Sequence, residues 1–214
     1  FAAQTPLSVK EGCNALKKSI GVLDTTLRDG AQSASVSYTV KDKLKILDIL
    51  DALGIGFAEA GAPAAVAKDE ELFLQLKRER VRFRTLKPVA FHSTCREGVA
   101  ACEDELLKKT VALADEYVSL YGKSSLAQVV SVIRTSGDEN LRMIADSVAY
   151  CRENGKRVIF EGEHFFDGFR ADPDYALQTL VAAVNAGAER VVLCDTNGGS
   201  MPGAKGVPED MLRK

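Results

Sequence analysis

Six short runs of polar and glycine residues carry the chemistry this chain could perform, and each stands directly behind an apolar, β-branched stretch. The densest is Leu23-Asp24-Thr25-Thr26-Leu27-Arg28-Asp29-Gly30-Ala31-Gln32. An Asp in a tight turn offers a divalent cation a hard anionic oxygen. The adjacent Arg adds a permanently charged guanidinium that could meet an oxyanion developing beside that cation. A salt-bridged turn at the rim of the fold is the structural alternative for the same pair. The other runs are Glu59-Ala60-Gly61, His92-Ser93-Thr94, Gly122-Lys123, Glu161-Gly162-Glu163-His164 and Asp195-Thr196-Asn197-Gly198-Gly199. Glu59 reads either as an active-site carboxylate or as a rim partner for Arg28.

The stretches ahead of these runs are the candidate strands, at 20–24, 55–60, 88–92, 117–121, 157–161 and 190–194. They recur at about the 30–40 residues of a β-α unit. Between them the apolar positions follow the helical period: Leu141, Ile144, Ala145 and Val148 in one segment, Leu177, Leu180, Val181 and Val184 in another. Asp172 can cap the second of these helices with Pro173 in its first turn, where a missing N–H costs nothing. Gly187 sits just past its end, where a left-handed residue is wanted, and Gly54 and Asn154-Gly155 stop two other helices in the same way. Strands alternating with helices make a parallel sheet, since parallel neighbours need a crossover.

Such a sheet can be open or closed. An open one concentrates ligand contacts at a single switch point, whereas a barrel gathers the C-terminal ends of all its strands around one mouth. Polar runs after every strand predict the barrel. The predicted class is therefore α/β, a (β/α)8 TIM barrel, incomplete, with about six β/α units in place of eight. After Met201-Pro202 there is room only for a helix start at 208–214, so the chain reads as cut inside its sixth helix.

Composition narrows the function classes. A formal net charge of -2 over 214 residues gives no electrostatic footprint for nucleic acid or an anionic membrane surface. No apolar run approaches the roughly 20 residues of a bilayer span. The five cysteines (Cys13, Cys95, Cys102, Cys151, Cys194) show no C-x-x-C spacing and read as small core residues in a reducing compartment. Lys77-Arg78-Glu79-Arg80 with Arg82 and Arg84 reads as a solvated helix end, and Gly198-Gly199 lacks the lysine of a phosphate loop. The chain begins at Phe1 without a leader pattern, which reads as a processing boundary. A cytoplasmic location is expected, with an organellar matrix as the alternative.

The run from Leu23 to Gln32 resembles the L-D-T-T-L-R-D-G-x-Q signature of the family that includes isopropylmalate, homocitrate and citramalate synthases and 3-hydroxy-3-methylglutaryl-CoA lyase. Glu163-His164-Phe165-Phe166-Asp167-Gly168 and Leu193-Cys194-Asp195-Thr196-Asn197-Gly198-Gly199 resemble the fifth- and sixth-strand segments of its citramalate-synthase-like members, and Gly122-Lys123-Ser124 is similar to their loop after strand four. Many other members have Glu where this chain has Ala31, and Glu-Asp where it has Glu163-His164, so the departures point to the citramalate-like branch.

The resemblance implies an N-terminal extension over 1–19 and a partial TIM-barrel, pyruvate carboxyltransferase-like catalytic domain over 20–214. It implies an acyltransferase that condenses acetyl-CoA with a small 2-oxo acid, pyruvate first among them, with a divalent metal ion (Mg, Mn or Zn) in the full-length parent, which is expected to be a homodimer. Asp29 matches the metal ligand, and Arg28 the group that polarises the reacting oxygens. Glu163 matches the catalytic carboxylate at the keto-acid pocket, and Gln32 and Thr196 match substrate-binding positions. The family's H-x-H metal ligands are missing, since only His92 and His164 occur and neither belongs to such a pair; both read as structural or supporting residues. The alternatives are an acyl-CoA C–C lyase of the same barrel family, and a catalytically silent fragment.

Overall fold

A computed structural model describes residues 20–200. The expected N-terminal extension, Cys13 and the start of a sixth-unit helix at 208–214 lie outside the described residues. Six strands run β1 (Leu23–Asp24), β2 (Phe57–Gly61), β3 (Lys87–Ser93), β4 (Tyr117–Lys123), β5 (Arg157–Glu163) and β6 (Arg190–Leu193). Helices α1 (Val40–Ala52), α2 (Ala67–Arg78) and α3 (Glu105–Leu113) separate the first four. A short α4 (Leu126–Gln128) leads through a π turn to α5 (Gly137–Glu153), and α6 (Phe165–Ala171) and α7 (Pro173–Asn185) lie between β5 and β6.

All neighbouring strands pair in parallel, and their order in the sheet is their order in the chain. That sequential winding separates a barrel from a doubly wound sheet, whose order reverses at a switch point. The sheet is six units of a barrel, curled and open between β1 and β6.

Local chemistry accounts for the element ends. Thr39 and Asp42 form a reciprocal capping box on α1. Asp172 caps α7 through the Tyr175 N–H at 3.0 Å, with Pro173 in the first turn as expected. Gly187, just past α7, has φ of +101°, conformational space that other residues enter at a cost.

Strand lengths depart from expectation in a consistent direction. The interior strands β3, β4 and β5 each run one or two residues further toward the site than the apolar pattern predicts. The edge strand β1 keeps only Leu23–Asp24, and β6 stops at Leu193. Interior strands have a hydrogen-bonding partner on each side and can carry polar residues in the ladder, whereas edge strands have one partner. The apolar stripe of α7 departs in part from a core-facing role, for of its four members only Leu180 packs against the core. Leu177, Val181 and Val184 are exposed, while Tyr175, Ala176, Thr179 and Ala183 face inward. Of the described cysteines, Cys95 and Cys151 are buried as expected, Cys194 is half-buried and Cys102 is exposed.

The larger core lies between sheet and helices, built on outward-facing Ala58, Ala90, Val118, Leu120, Val158 and Phe160 against Leu47, Leu72, Phe73, Leu107 and Ile144. No helix among the described residues is long and apolar enough to cross a membrane.

Candidate functional site

Strand alternation decides what fills the inside of the half-barrel, because successive side chains point to opposite faces. Val89, Tyr117 and Ile159, with Phe57 and Val192 against them, form a dry layer toward the N-terminal ends of the strands. Two residues further along the same strands stand Glu59, Phe91, Ser119, Glu161 and Cys194, and beyond these Tyr121, Lys123 and Glu163. The interior thus changes from apolar to ionic within one step of each strand. Over the ionic layer lies a cleft of about 550 Å³ lined by Arg28, Asp29, Gln32, Glu163 and Thr196. All five residues singled out from the sequence therefore meet in one place, drawn from the β1 loop and from the ends of β5 and β6. Phe91, Tyr121, Lys123, Glu161, Cys194 and Asp195 complete the wall.

Arg28 is the centre of the arrangement. Its Nε donates to Glu59 Oε2 at 2.6 Å and its Nη1 to Asp29 Oδ1 at 3.2 Å, while Nη2 lies 3.8 Å from Glu161 Oε2. The guanidinium carbon sits 4.0 Å from the centroid of the Phe91 ring, which is stacked in turn on Tyr121. Of the two readings of Glu59, the structure shows the pairing with Arg28; Glu59 itself is fully buried, beneath the cleft that Arg28 lines. Asp29 differs from both, with a side chain 64% exposed at the mouth.

A buried ammonium holds the turn that carries Arg28. Lys43 Nζ donates to Leu27 O at 2.9 Å, to Ala60 O at 3.0 Å and to Asp69 Oδ1 at 2.5 Å. The residue before Arg28 and the residue after Glu59 thereby hang on one cation. Asp69 Oδ2 accepts the Ala62 N–H at 2.9 Å, and any side chain at Gly61 would collide with its carboxylate, so only glycine serves there.

On the opposite wall Lys123 Nζ and Glu163 Oε2 are 2.5 Å apart. His164 takes the left-handed conformation, φ +57°, and its N–H donates to Thr196 Oγ1 at 2.8 Å. The Thr196 hydroxyl proton stays available for another acceptor. His164 Nδ1 lies 3.4 Å from Asp167 Oδ2, and His92 Nδ1 lies 2.7 Å from Ser93 O; both histidines stand among supporting contacts.

Electrostatics follow from depth. Burial, then hydrogen bonding and repulsion from Glu161, push the Glu59 carboxyl up to about 9, with Arg28 pulling the other way. Burial, followed by the carboxylates of Glu161, Glu163 and Glu59, raises the Cys194 thiol to about 12, so it stands in the wall as a neutral group rather than a nucleophile. Among the described residues no three His, Cys, Asp or Glu side chains group to hold a metal ion. Asp29 alone is a poor cage for a divalent cation, whose affinity grows with ligand number. The described residues do not by themselves fit the metal that the resemblance implies.

Sequence reasoning named Glu161 and Lys123 within their runs without giving them a role, and passed over Phe91, Tyr121 and the Lys43–Asp69 pair. Stepping back by two from Glu163 and from Lys123 would have reached Glu161, Tyr121 and Ser119. A lysine on the apolar face of α1, in line with buried Leu47 and Leu50, was the signal for a buried cation.

The HMGL-like family model matches residues 19–207. The (R)-citramalate synthases of Synechocystis sp. and Streptomyces coelicolor are 48% and 46% identical over 187 residues, 87% of this chain but 34% and 35% of theirs. The chain spans about a third of the length of the curated relatives it matches. The crystal structure of hydroxymethylglutaryl-CoA lyase from Pseudomonas aeruginosa superposes with a TM-score of 0.65 at 20% identity, covering 86% of this chain and 60% of that one, and shares its fold.

Proposed function

This chain belongs to the HMGL-like family, and on that premise we propose that it forms six units of the catalytic barrel of an acyltransferase condensing acetyl-CoA with a small 2-oxo acid, pyruvate first, to give citramalate. The observation that carries this reading is the convergence of Arg28, Asp29, Gln32, Glu163 and Thr196 on one cleft in a chain 48% identical to an (R)-citramalate synthase. The lyase alternative is supported by likeness of fold alone.

In the proposed reaction the acetyl methyl loses a proton and the resulting carbanion adds to the keto carbon. The carbonyl electron pair moves to oxygen, which is then protonated, and water cleaves the thioester to release CoA. Arg28 is the group in the cleft suited to the negative oxygen, because Glu59 and the Phe91 ring fix its plane before any substrate arrives. The Thr196 hydroxyl and the Gln32 amide, which line the same cleft from the β6 end and the β1 loop, are suited to the 2-oxo acid carboxylate. Glu163, paired with Lys123 in the wall of the cleft, is suited to bound the acid's side chain. The stacked rings of Phe91 and Tyr121 give the cleft a rigid aromatic wall against which a small apolar substituent such as the methyl of pyruvate can pack. Asp29 is the metal-ligand candidate this segment supplies, and the described residues do not complete a site for an ion.

The test uses the intact protein, with acetyl-CoA and a panel of 2-oxo acids, reading free CoA thiol and the hydroxy acid formed. Pyruvate-dependent thiol release with citramalate as product is expected. Thiol release that is independent of any 2-oxo acid, or cleavage of an acyl-CoA without condensation, would overturn the assignment.

A further inference from the structure

Inside the half-barrel the charges of the Arg28 cluster do not balance. Glu59 is fully buried and Glu161 nearly so, at 0% and 6% exposure. Among the described residues Arg28 is the ion-pair partner of both, and Lys123 is engaged by Glu163. Two ionised carboxylates against one guanidinium would leave a net negative charge in the dry interior, a costly state. The hydrogen bonding points the same way. Glu59 Oε1 is buried and meets no N–H or hydroxyl donor. Glu161 Oε1 is satisfied by the Ser119 hydroxyl at 2.6 Å, while Glu161 Oε2 lies 3.8 Å from the same guanidinium that Glu59 Oε2 holds at 2.6 Å. A proton on one of two carboxyls that converge on a single guanidinium removes their repulsion and turns a buried acceptor without a donor into a donor.

We propose that Glu59 and Glu161 hold a single proton between them and act as one monoanionic carboxyl pair that positions Arg28. The pair cancels the guanidinium charge once rather than twice, and it fixes the guanidinium edge through the Glu59–Nε bond. Other groups facing the pair agree with this assignment. The β1 loop brings Arg28 with Asp29 beyond it, β3 the Phe91 ring, β4 the Ser119 hydroxyl and Tyr121, β5 Glu163 and β6 the neutral Cys194 thiol. Lys43 lies behind β2 and is consumed by Asp69. The elevated acidity constant of Glu59 is the electrostatic counterpart of the same arrangement. As pH rises until the shared proton leaves, the doubled negative charge draws Arg28 away from any incoming anion. The consequence for turnover rests on the function proposed above, whereas the shared proton does not.

Infrared spectroscopy of the intact, substrate-free protein tests the pair directly. At pH 7 a protonated-carboxyl stretch is expected, lost in Glu59→Gln and in Glu161→Gln, and lost from the wild type as pH is raised through 9. Glutamine mimics the neutral acid, so each single variant should unfold within a few degrees of wild type and keep turnover within about tenfold, with the alkaline loss of turnover removed. Glu59→Gln/Glu161→Gln leaves Arg28 without a buried counter-ion and should lose at least 100-fold. Absence of a protonated-carboxyl band in the wild type at pH 7, or its persistence in both single variants, overturns the proposal. An infrared result as expected from a protein inactive toward acetyl-CoA and 2-oxo acids would overturn the proposed function and leave the carboxyl pair standing.

Discussion

Two cations, the buried Lys43 and the half-buried Arg28, join the loop after β1 to the end of β2, and they are satisfied in opposite ways. Lys43 has three N–H donors and meets three acceptors, Leu27 O, Ala60 O and Asp69 Oδ1, with one negative charge against one positive. Arg28, one residue beyond Leu27, faces Glu59, Glu161 and Asp29, more negative charge than it can cancel. It also retains N–H groups at the wall of an open cleft. A saturated pair has nothing left to offer a ligand and serves the fold. An unsaturated one is held ready, with its orientation set by neighbours and its donors unspent. The two clusters share a backbone, so the first supports the geometry of the second.

Breaking the saturated pair should have the largest effect. Lys43→Met leaves the Asp69 carboxylate buried without its cation, a change that typically costs about 3–5 kcal/mol. Thermal or denaturant unfolding of the intact protein should register that loss. The double variant Lys43→Met/Asp69→Leu should recover part of it, because an apolar pair carries no desolvation penalty. A double variant less stable than Lys43→Met alone would show that Asp69 does its main work through the Ala62 N–H.

Arg28→Lys addresses the other cluster and should separate chemistry from stability. The charge stays, but the planar fork that spans Glu59 and the cleft is lost. If Arg28 meets charge developing in the transition state, kcat should fall on the order of 100- to 1000-fold while 2-oxo acid affinity changes little. A variant that melts earlier yet keeps near wild-type kcat would reduce Arg28 to a partner of Glu59.

The clusters should also differ in pH dependence. Glu59 has its acidity constant raised from 4.5 to about 9 by burial first and Glu161 second. The folded state therefore holds a proton that the unfolded state has released. Stability from this group is fully present below pH 4.5 and declines as pH rises through about 9, by up to about 1.4 kcal/mol per pH unit. Unfolding free energies measured from pH 6 to 9 should fall with pH in the wild type and flatten in Glu59→Gln. An unchanged slope in the variant would assign the pH dependence elsewhere.

What could be read in advance follows the same division. Strand positions, the Asp172 cap and the gathering of polar runs at one mouth were legible because each rests on local period or turn chemistry. Pairings made across the barrel were not. Nothing near Glu161 in the chain points to Glu59 or Ser119, which lie 102 and 42 residues away in sequence and meet it only after the sheet curls. Lys43 was hidden for a related reason, since surface lysines on helices are common and its partners come from three other segments. The outward Leu177, Val181 and Val184 of α7 had a clear helical period, but period alone does not say which face meets the sheet.

The smallest expected effect sits between the two clusters in character. Thr196 Oγ1 accepts the His164 N–H at 2.8 Å, a bond that holds a left-handed residue at the end of β5, and its own proton is free for a ligand. The residue therefore combines a satisfied structural contact with an unspent donor. Thr196→Val removes both: the neutral bond to His164 contributes about 1 kcal/mol, and a bond to a charged carboxylate about 1.5–3 kcal/mol. If the hydroxyl binds the 2-oxo acid carboxylate, KM for that substrate should rise roughly tenfold, with kcat little changed, as for uniform binding. Thr196→Ser keeps both bonds and should restore the wild-type KM. If the hydroxyl only anchors His164, Val should lower the melting temperature by a few degrees and leave KM where it was. A Val variant with unchanged KM would move Thr196 to the structural side of the comparison, beside Lys43.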